Sequence, residues 1–238
     1  MKKGRAKFGV IVPSCNTMLE PELYQMVHGH NISFHTTRIK MTEDAKEQIE
    51  RLIRDVPKAA ALLKDADVDV IAFGCTAGSF IKGPNYDKKI ITLIEENAQV
   101  PATTASFSVV NALKELKLSK ISVVTPYEPW LNEKLTSYLG SHGIEVVAIR
   151  GLGITKNVSA IASEEILKLV EKVNALDSHG FFISCTDLRS VEMIDIIEGK
   201  FGKPVVTSNQ ALLWHMLKTL NLNVNITGYG KLLKPASH

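Results

Sequence analysis

The chain has little cysteine: three in 238 residues, an odd number, with no Cys-X-X-Cys pair. That excludes a disulfide framework and a structural zinc site, both of which need paired or clustered thiols. No His/Cys/Asp cluster has metal-ligand spacing, so no metal is expected. Aromatic residues make up only 6%, and none is interleaved with the basic cluster Lys2, Lys3, Arg5 and Lys7. The cluster therefore reads as a solvated tail, and no nucleic-acid partner is expected. No apolar run approaches the roughly 20 residues that cross a bilayer. Pro13 breaks the first apolar run early, and no small-residue cleavage site follows, so a signal peptide is not expected. A cytoplasmic protein without membrane attachment is the default. None of the seven histidines sits in a triad context, which excludes a Cys/His protease.

What remains is ordinary globular material, 45% apolar and 22% charged, with a net charge of +3 spread along the chain. The length suits one large domain or two small ones. Short apolar runs rich in β-formers alternate with helical periodicity. Strands are expected at 7–12, 32–39, 69–73 and 100–104, with helices near 18–27, 45–64, 87–97 and 106–116. Pro57 is expected to kink or divide the second helix. The cycle then restarts. Strands are expected at 120–125, 144–149, 180–184 and 203–208, with helices at 129–143, 163–173, 190–202 and 209–220. Ser163 is the expected N-cap of the amphipathic segment 163–173. Alternation of this kind implies βαβ units and parallel sheets.

The restart carries landmarks. Pro13 and Pro126 close the first strand of each half, 113 residues apart. Cys75-Thr76 and Cys185-Thr186 stand 110 apart, each at the end of a buried apolar run (DVIAFGCT and GFFISCT). Pro101 and Pro204 lie 103 apart, each opening a short strand that leads into a helix. Three landmarks in one order at nearly one spacing imply a duplicated α/β unit. The expected architecture is two doubly wound lobes related by a pseudo-twofold axis, 1–117 and 118–238, with the last helix, 209–220, able to pack back on the first lobe. Open parallel sheets place their sites at the carboxyl ends of strands. Cys75 and Cys185 are then expected on opposite walls of one cleft.

A lone strand-end cysteine is usually a small buried hydrophobe. The repeat favours chemistry instead. A thiolate is a nucleophile and a base once its pKa falls, and a helix start lowers it through the dipole and free N–H groups. Those N–H groups also bind carboxylates. Thr76 and Thr186 can cap a helix or offer a hydroxyl to an anion. A lowered pKa is expected for at least one of the two thiols, Cys75 foremost. Cys15 has no counterpart in the second half and reads as a packing or rim residue. Asn16 suits a helix cap, a site residue, or both. Trp214 and His215 read as core and helix surface.

The segments PSCNTMLEPEL (13–23), FGCTAGSFIKG (73–83), TPYEPWLNEKL (125–135) and SCTDLRSVEMIDIIEGKFGKPVVTSNQALLWHML (184–217) together resemble the maleate cis–trans isomerases. That family belongs to the aspartate/glutamate racemase superfamily, with the arylmalonate decarboxylases and hydantoin racemases. The resemblance runs over nearly the whole chain. The family's first loop commonly reads Pro-Ser-Ser-Asn-Thr, where this chain has Cys15. Its second motif often reads Cys-Thr-Asn-Leu-Arg, where this chain has Asp187. The arylmalonate decarboxylases keep only the second cysteine; both are present here. The resemblance implies that Cys75 adds to the alkene carbon and that Cys185 exchanges protons beside it. It implies that Asn16, Tyr127 and Asn157 hold the carboxylates, with backbone N–H groups near Thr76, Ala77 and Thr186. It implies no cofactor, a small dicarboxylate substrate and a homo-oligomer. A racemase, epimerase or decarboxylase with the same thiols remains open on sequence, and a dicarboxylate-binding module would have no use for two cysteines.

Overall fold

The computed structural model describes residues 4–234; Lys2 and Lys3 of the basic cluster lie outside them. Strand and helix alternate throughout. The first parallel sheet takes β1 (Ala6–Pro13), β2 (Ile32–Ile39), β3 (Val70–Phe73) and β4 (Ala102–Thr104) in the spatial order 2-1-3-4. The second takes β5 (Lys120–Thr125), β6 (Glu145–Gly151), β7 (Gly180–Ile183) and β8 (Val205–Thr207) in the order 6-5-7-8. The two orders are the same under a shift of four, so the duplication read from the landmarks is a duplication of topology. Each sheet changes winding direction between its two central strands, which opens a crevice at their carboxyl ends.

Of the central strands, β3 and β7 are buried along their whole length. β3 reads VIAF and β7 reads GFFI, with no exposed residue in either. Continuous apolar runs are what a parallel sheet needs when helices cover both its faces. The helices follow suit. In α8 (Ser163–Val173) the residues Ile166, Leu169, Val170 and Val173 form the buried stripe.

Local chemistry sets several boundaries. The segment expected as one helix at 45–64 divides into α2 (Lys46–Arg51), a 3-10 turn (Leu52–Arg54) and α3 (Val56–Asp65). Pro57 sits in the first turn of α3, where its missing N–H has no acceptor to lose. Ser163 is not the cap of α8. Ala162 occupies that position, and the Ser163 hydroxyl is drawn to the Glu192 carboxylate instead. Residues 190–202 begin with a 3-10 turn (Val191–Met193) before α9 (Ile194–Phe201).

The short last strands launch the helices α6 (Ala105–Glu115) and α10 (Ser208–Thr219). Thr104 and Thr207 cap them, accepting from Phe107 N at 3.3 Å and Gln210 N at 3.2 Å. α10 packs against α6, its counterpart in the first half, and against α1 (Leu19–Met26). His215 lies in the α6–α10 seam, with Nδ1 2.7 Å from Thr103 Oγ1. Burial holds its imidazole down at about 4, so it is a neutral packing residue.

Candidate active site

The loops at the carboxyl ends of both sheets meet around a cavity of about 220 Å³. Asn16, Cys75, Thr76, Ala77, Tyr127, Asn157, Cys185 and Thr186 all line it. Its volume lies below the roughly 300–1,000 Å³ of sites that take drug-sized ligands, so it suits a small molecule.

Cys75 follows β3 by two residues and Cys185 follows β7 by two. The residues between repeat the geometry: Gly74 N donates to Ile11 O at 2.7 Å, and Ser184 N donates to Val124 O at 2.8 Å. Gly74 has a steric reason. A Cβ there would come within 2.3 Å of Leu19 Cδ2 and 3.3 Å of Ile11 O, so any side chain would force Leu19 of α1 to move. Beyond the cysteines the halves diverge. Cys75 caps the short helix α4 (Thr76–Phe80), its sulfur accepting from Gly78 N at 3.3 Å. The N–H groups of Thr76 and Ala77, in the first turn of α4, have no acceptor within the helix. No helix starts after Cys185. A turn follows, in which Asp187 N donates to the Cys185 sulfur at 3.4 Å. Cys185 itself holds φ at +111°, a strained conformation for a residue with a side chain.

Three side chains tie the cysteine loops together. Ser208 Oγ accepts from Thr76 Oγ1 at 2.9 Å and from Cys185 N at 3.1 Å, so one hydroxyl touches both motifs. Thr186 Oγ1 donates to Gly74 O at 3.0 Å. Asn16 Nδ2 donates to Thr186 Oγ1 at 3.1 Å, while Asn16 Oδ1 accepts from Met18 N and Leu19 N, both at 3.0 Å. Asn16 thus caps the start of α1 and lines the cavity at once. The threonine hydroxyls, expected to cap a helix or face an anion, are committed to these bonds between the halves; only their backbone N–H groups remain for a ligand. Glu22 holds the segment that follows this loop, accepting from Ser190 N at 2.6 Å, Val191 N at 3.1 Å and Asn209 Nδ2 at 2.6 Å. Asn209 Nδ2 also donates to Thr186 O at 3.0 Å, carrying the support up to the loop.

Burial dominates the electrostatics. It pushes the thiols of Cys75 and Cys185 well above the ordinary cysteine value, with the nearby Asp44 carboxyl adding to the rise. This overturns the expected lowering of Cys75. The Gly78 N–H does pull its pKa down, but α4 is five residues long and its help is smaller than the loss of water. Burial also keeps the Tyr127 phenol protonated. Its oxygen accepts from Ser184 Oγ at 3.2 Å, which leaves the phenolic hydrogen free for a ligand. Asn157 holds φ at +55°, a conformation asparagine tolerates, and stands exposed at the rim. Cys15 is half-buried and lines the same cavity, its thiol pushed up to about 11 by burial, so it is a wall residue. Asp187 accepts from Thr17 N at 2.7 Å and Met18 N at 3.2 Å and fastens the first loop to the second half.

Asp44, Ser208 and Glu22 were not visible as site residues in the sequence. No local motif marks them; they reach the site through the packing of distant segments. Among the described residues, no group of His, Cys, Asp or Glu is arranged to hold a metal ion, and no helix is long and apolar enough to cross a membrane.

Comparison with known proteins agrees with this geometry. The family model described as arylmalonate decarboxylase matches residues 8–233. A maleate isomerase of Pseudomonas putida is 31% identical, over 97% of this chain and 98% of that protein. An arylmalonate decarboxylase of Bordetella bronchiseptica is 27% identical, over 93% of this chain and 91% of that protein. A solved structure of the Nocardia farcinica maleate cis–trans isomerase superposes with a TM-score of 0.93 at 25% identity, covering 98% of this chain and 99% of that one. That structure is a cysteine-to-serine mutant carrying a covalently bound succinylcysteine intermediate.

Proposed function

This chain belongs to the arylmalonate decarboxylase family, and on that premise we propose that it is a cofactor-independent cis–trans isomerase acting on maleate or a similar small dicarboxylate through an adduct on Cys75. The observation that carries the reading is the placement of two thiols, at equivalent strand ends of two duplicated sheets, on the wall of one small cavity.

The steps follow from the groups present. The Cys75 thiol gives its proton to solvent as the substrate binds, and its sulfur adds to one alkene carbon, forming a C–S bond and moving the π electrons to the neighbouring carbon. The Cys185 thiol gives that carbon a proton, leaving a succinyl group on Cys75. The former double bond is now single and rotates. The Cys185 thiolate takes a proton back, the double bond re-forms in the trans geometry, and the C–S bond breaks to return the Cys75 thiolate. Cys185 regains the proton it gave, and Cys75 ends each turnover as the thiolate that begins the next. The buried thiols resist ionisation in the empty site, so the Gly78 N–H must hold the Cys75 thiolate as it forms, while the free N–H groups of Thr76 and Ala77 face the substrate carboxylate. The Tyr127 hydroxyl, the Asn16 and Asn157 amides and the Thr186 N–H hold the carboxylates. The same reading takes residues 1–117 and 118–238 as the two walls of the site and the assembly as a homo-oligomer.

A racemase, or a decarboxylase like the Bordetella relative, is the alternative. The presence of Cys75 beside Cys185 favours the isomerase, because decarboxylation needs one proton donor and no nucleophile. Proton NMR of purified protein with maleate tests the choice. Steady growth of the fumarate vinyl signal is expected. Unchanged maleate together with carbon dioxide release from an arylmalonate would overturn the isomerase reading.

A further inference from the structure

We propose that Asp44 sets the ionic form of substrate this site accepts: its carboxyl is protonated in the complex and donates a hydrogen bond to one substrate carboxylate, so that each dicarboxylate dianion enters with one proton. The proposal rests on the reading of the substrate as a small dicarboxylate.

Asp44 lies between β2 and α2, at the mouth of the cavity. Its backbone N–H donates to Thr155 O at 2.9 Å, and the neighbouring Glu43 pairs with Lys156 at 3.0 Å. These two bonds fix the segment across the cleft, from the first half to the second. The Asp44 side chain lines the cavity, yet its carboxyl has no hydrogen-bond or ion-pair partner among the described residues. Asp187, the other carboxyl on the wall, is different, because it accepts from the backbone of Thr17 and Met18. Asp44 is half-buried and its carboxyl opens on the cavity, so a ligand filling that space meets it in place of water.

The charge balance decides which proton state that partner requires. Among the described residues Lys156 is the only Lys or Arg on the cavity wall, and Glu43 already pairs with it. Arg38, nearby, donates to Ser14 O and Asn16 O and pairs with Glu20. The ionisable groups that face Asp44 are Cys15, Cys75, Cys185, Tyr127 and Asp187, all neutral or acidic. A dianion would therefore meet two carboxylates with no free cation, and like charges this close disfavour one another's ionised forms. Protonating Asp44 removes one of the charges and turns an acceptor into a donor. Burial and Asp187 already push its carboxyl up to about 7 in the empty site, so the proton is available near neutrality.

The test is the affinity for succinate, a dicarboxylate with no alkene for the thiolate to attack, from about pH 6 to about pH 9. Wild-type affinity is expected to fall about tenfold per unit above pH 7, with uptake of one proton per ligand in calorimetry across two buffers. In Asp44→Asn, whose amide donates without titrating, affinity is expected to be flat over that range and more than about tenfold tighter than wild type at pH 9. A wild-type slope retained in Asp44→Asn, a flat wild-type profile, or no succinate binding at pH 6 overturns the proposal. The outcomes separate from those for the isomerase. Protein that binds succinate with the expected slope but leaves maleate unchanged keeps this inference and loses that reading; protein that isomerises maleate with a flat succinate profile does the reverse.

Discussion

Ser208→Ala removes one oxygen and tests whether the two cysteine loops act as a unit. Ser208 is fully buried, and its Oγ is the shared acceptor of Thr76 Oγ1 and Cys185 N. The Thr76 hydroxyl can turn to seek another acceptor. The Cys185 N–H cannot, because it belongs to a backbone fixed at φ +111°. A buried donor left without a partner costs about 1–3 kcal/mol, and the lost threonine bond about 1 kcal/mol more. The expected loss is therefore about 2–4 kcal/mol. For a chain of this size each kcal/mol lowers Tm by roughly 2–4 °C, so a drop on the order of 10 °C is expected by circular dichroism. Activity should fall further than stability accounts for. With the strained Cys185 released, its sulfur drifts relative to Cys75, and a misplacement of about 1 Å costs on the order of a hundredfold in rate. Both readings are taken on the same preparation, Tm by melting and turnover by NMR at a temperature where the variant is fully folded. A variant that melts within about 1 °C of wild type and turns over at the wild-type rate would refute the coupling of the two loops through this hydroxyl.

Two further outcomes follow from burial. Because the thiols of Cys75 and Cys185 are pushed up, their thiolate fraction near neutral pH is small, and alkylation of the empty enzyme should stay slow until pH exceeds the free-cysteine value of about 8.5. Iodoacetamide rates on single-cysteine variants check this, and fast alkylation at pH 7 would contradict it. Glu22, pushed up to about 7 from its ordinary 4.5, binds its proton more tightly folded than unfolded. Stability should then fall as pH rises between those values, by roughly 3 kcal/mol at 1.36 kcal/mol per unit, and Glu22→Gln should remove that part of the fall. Urea midpoints at pH 5 and 8 measure it; the same fall in variant and wild type would show that Glu22 ionises freely.

The fold was readable because buried parallel strands are continuous apolar runs and because the second half repeats the first. The pairing of Cys75 with Cys185 needed only that repeat. The supports did not repeat. Ser208 reaches Thr76 across 132 positions and Glu22 reaches Ser190 across 168, and no local spacing encodes such contacts. Ser163 looked like a cap because serine suits that role, but the chain enters α8 one residue earlier and Glu192 takes the hydroxyl. The thiol pKa is hidden from the sequence for a related reason. A helix start is visible in sequence, whereas the depth of burial that outweighs it depends on how the two halves close over the sulfur.

Isomerisation by this route requires a covalent bond between substrate and Cys75, and intact-protein mass spectrometry of Cys185→Ser incubated with maleate measures it directly. This variant keeps the nucleophile but lacks the thiol that exchanges the proton, so the adduct should form and leave slowly. The expected result is a mass increase equal to one maleic acid, mapped by peptide fragmentation to Cys75, and no such increase in Cys75→Ser. An adduct on Cys185 in the wild type, or full isomerisation of maleate by Cys75→Ser, would contradict the account.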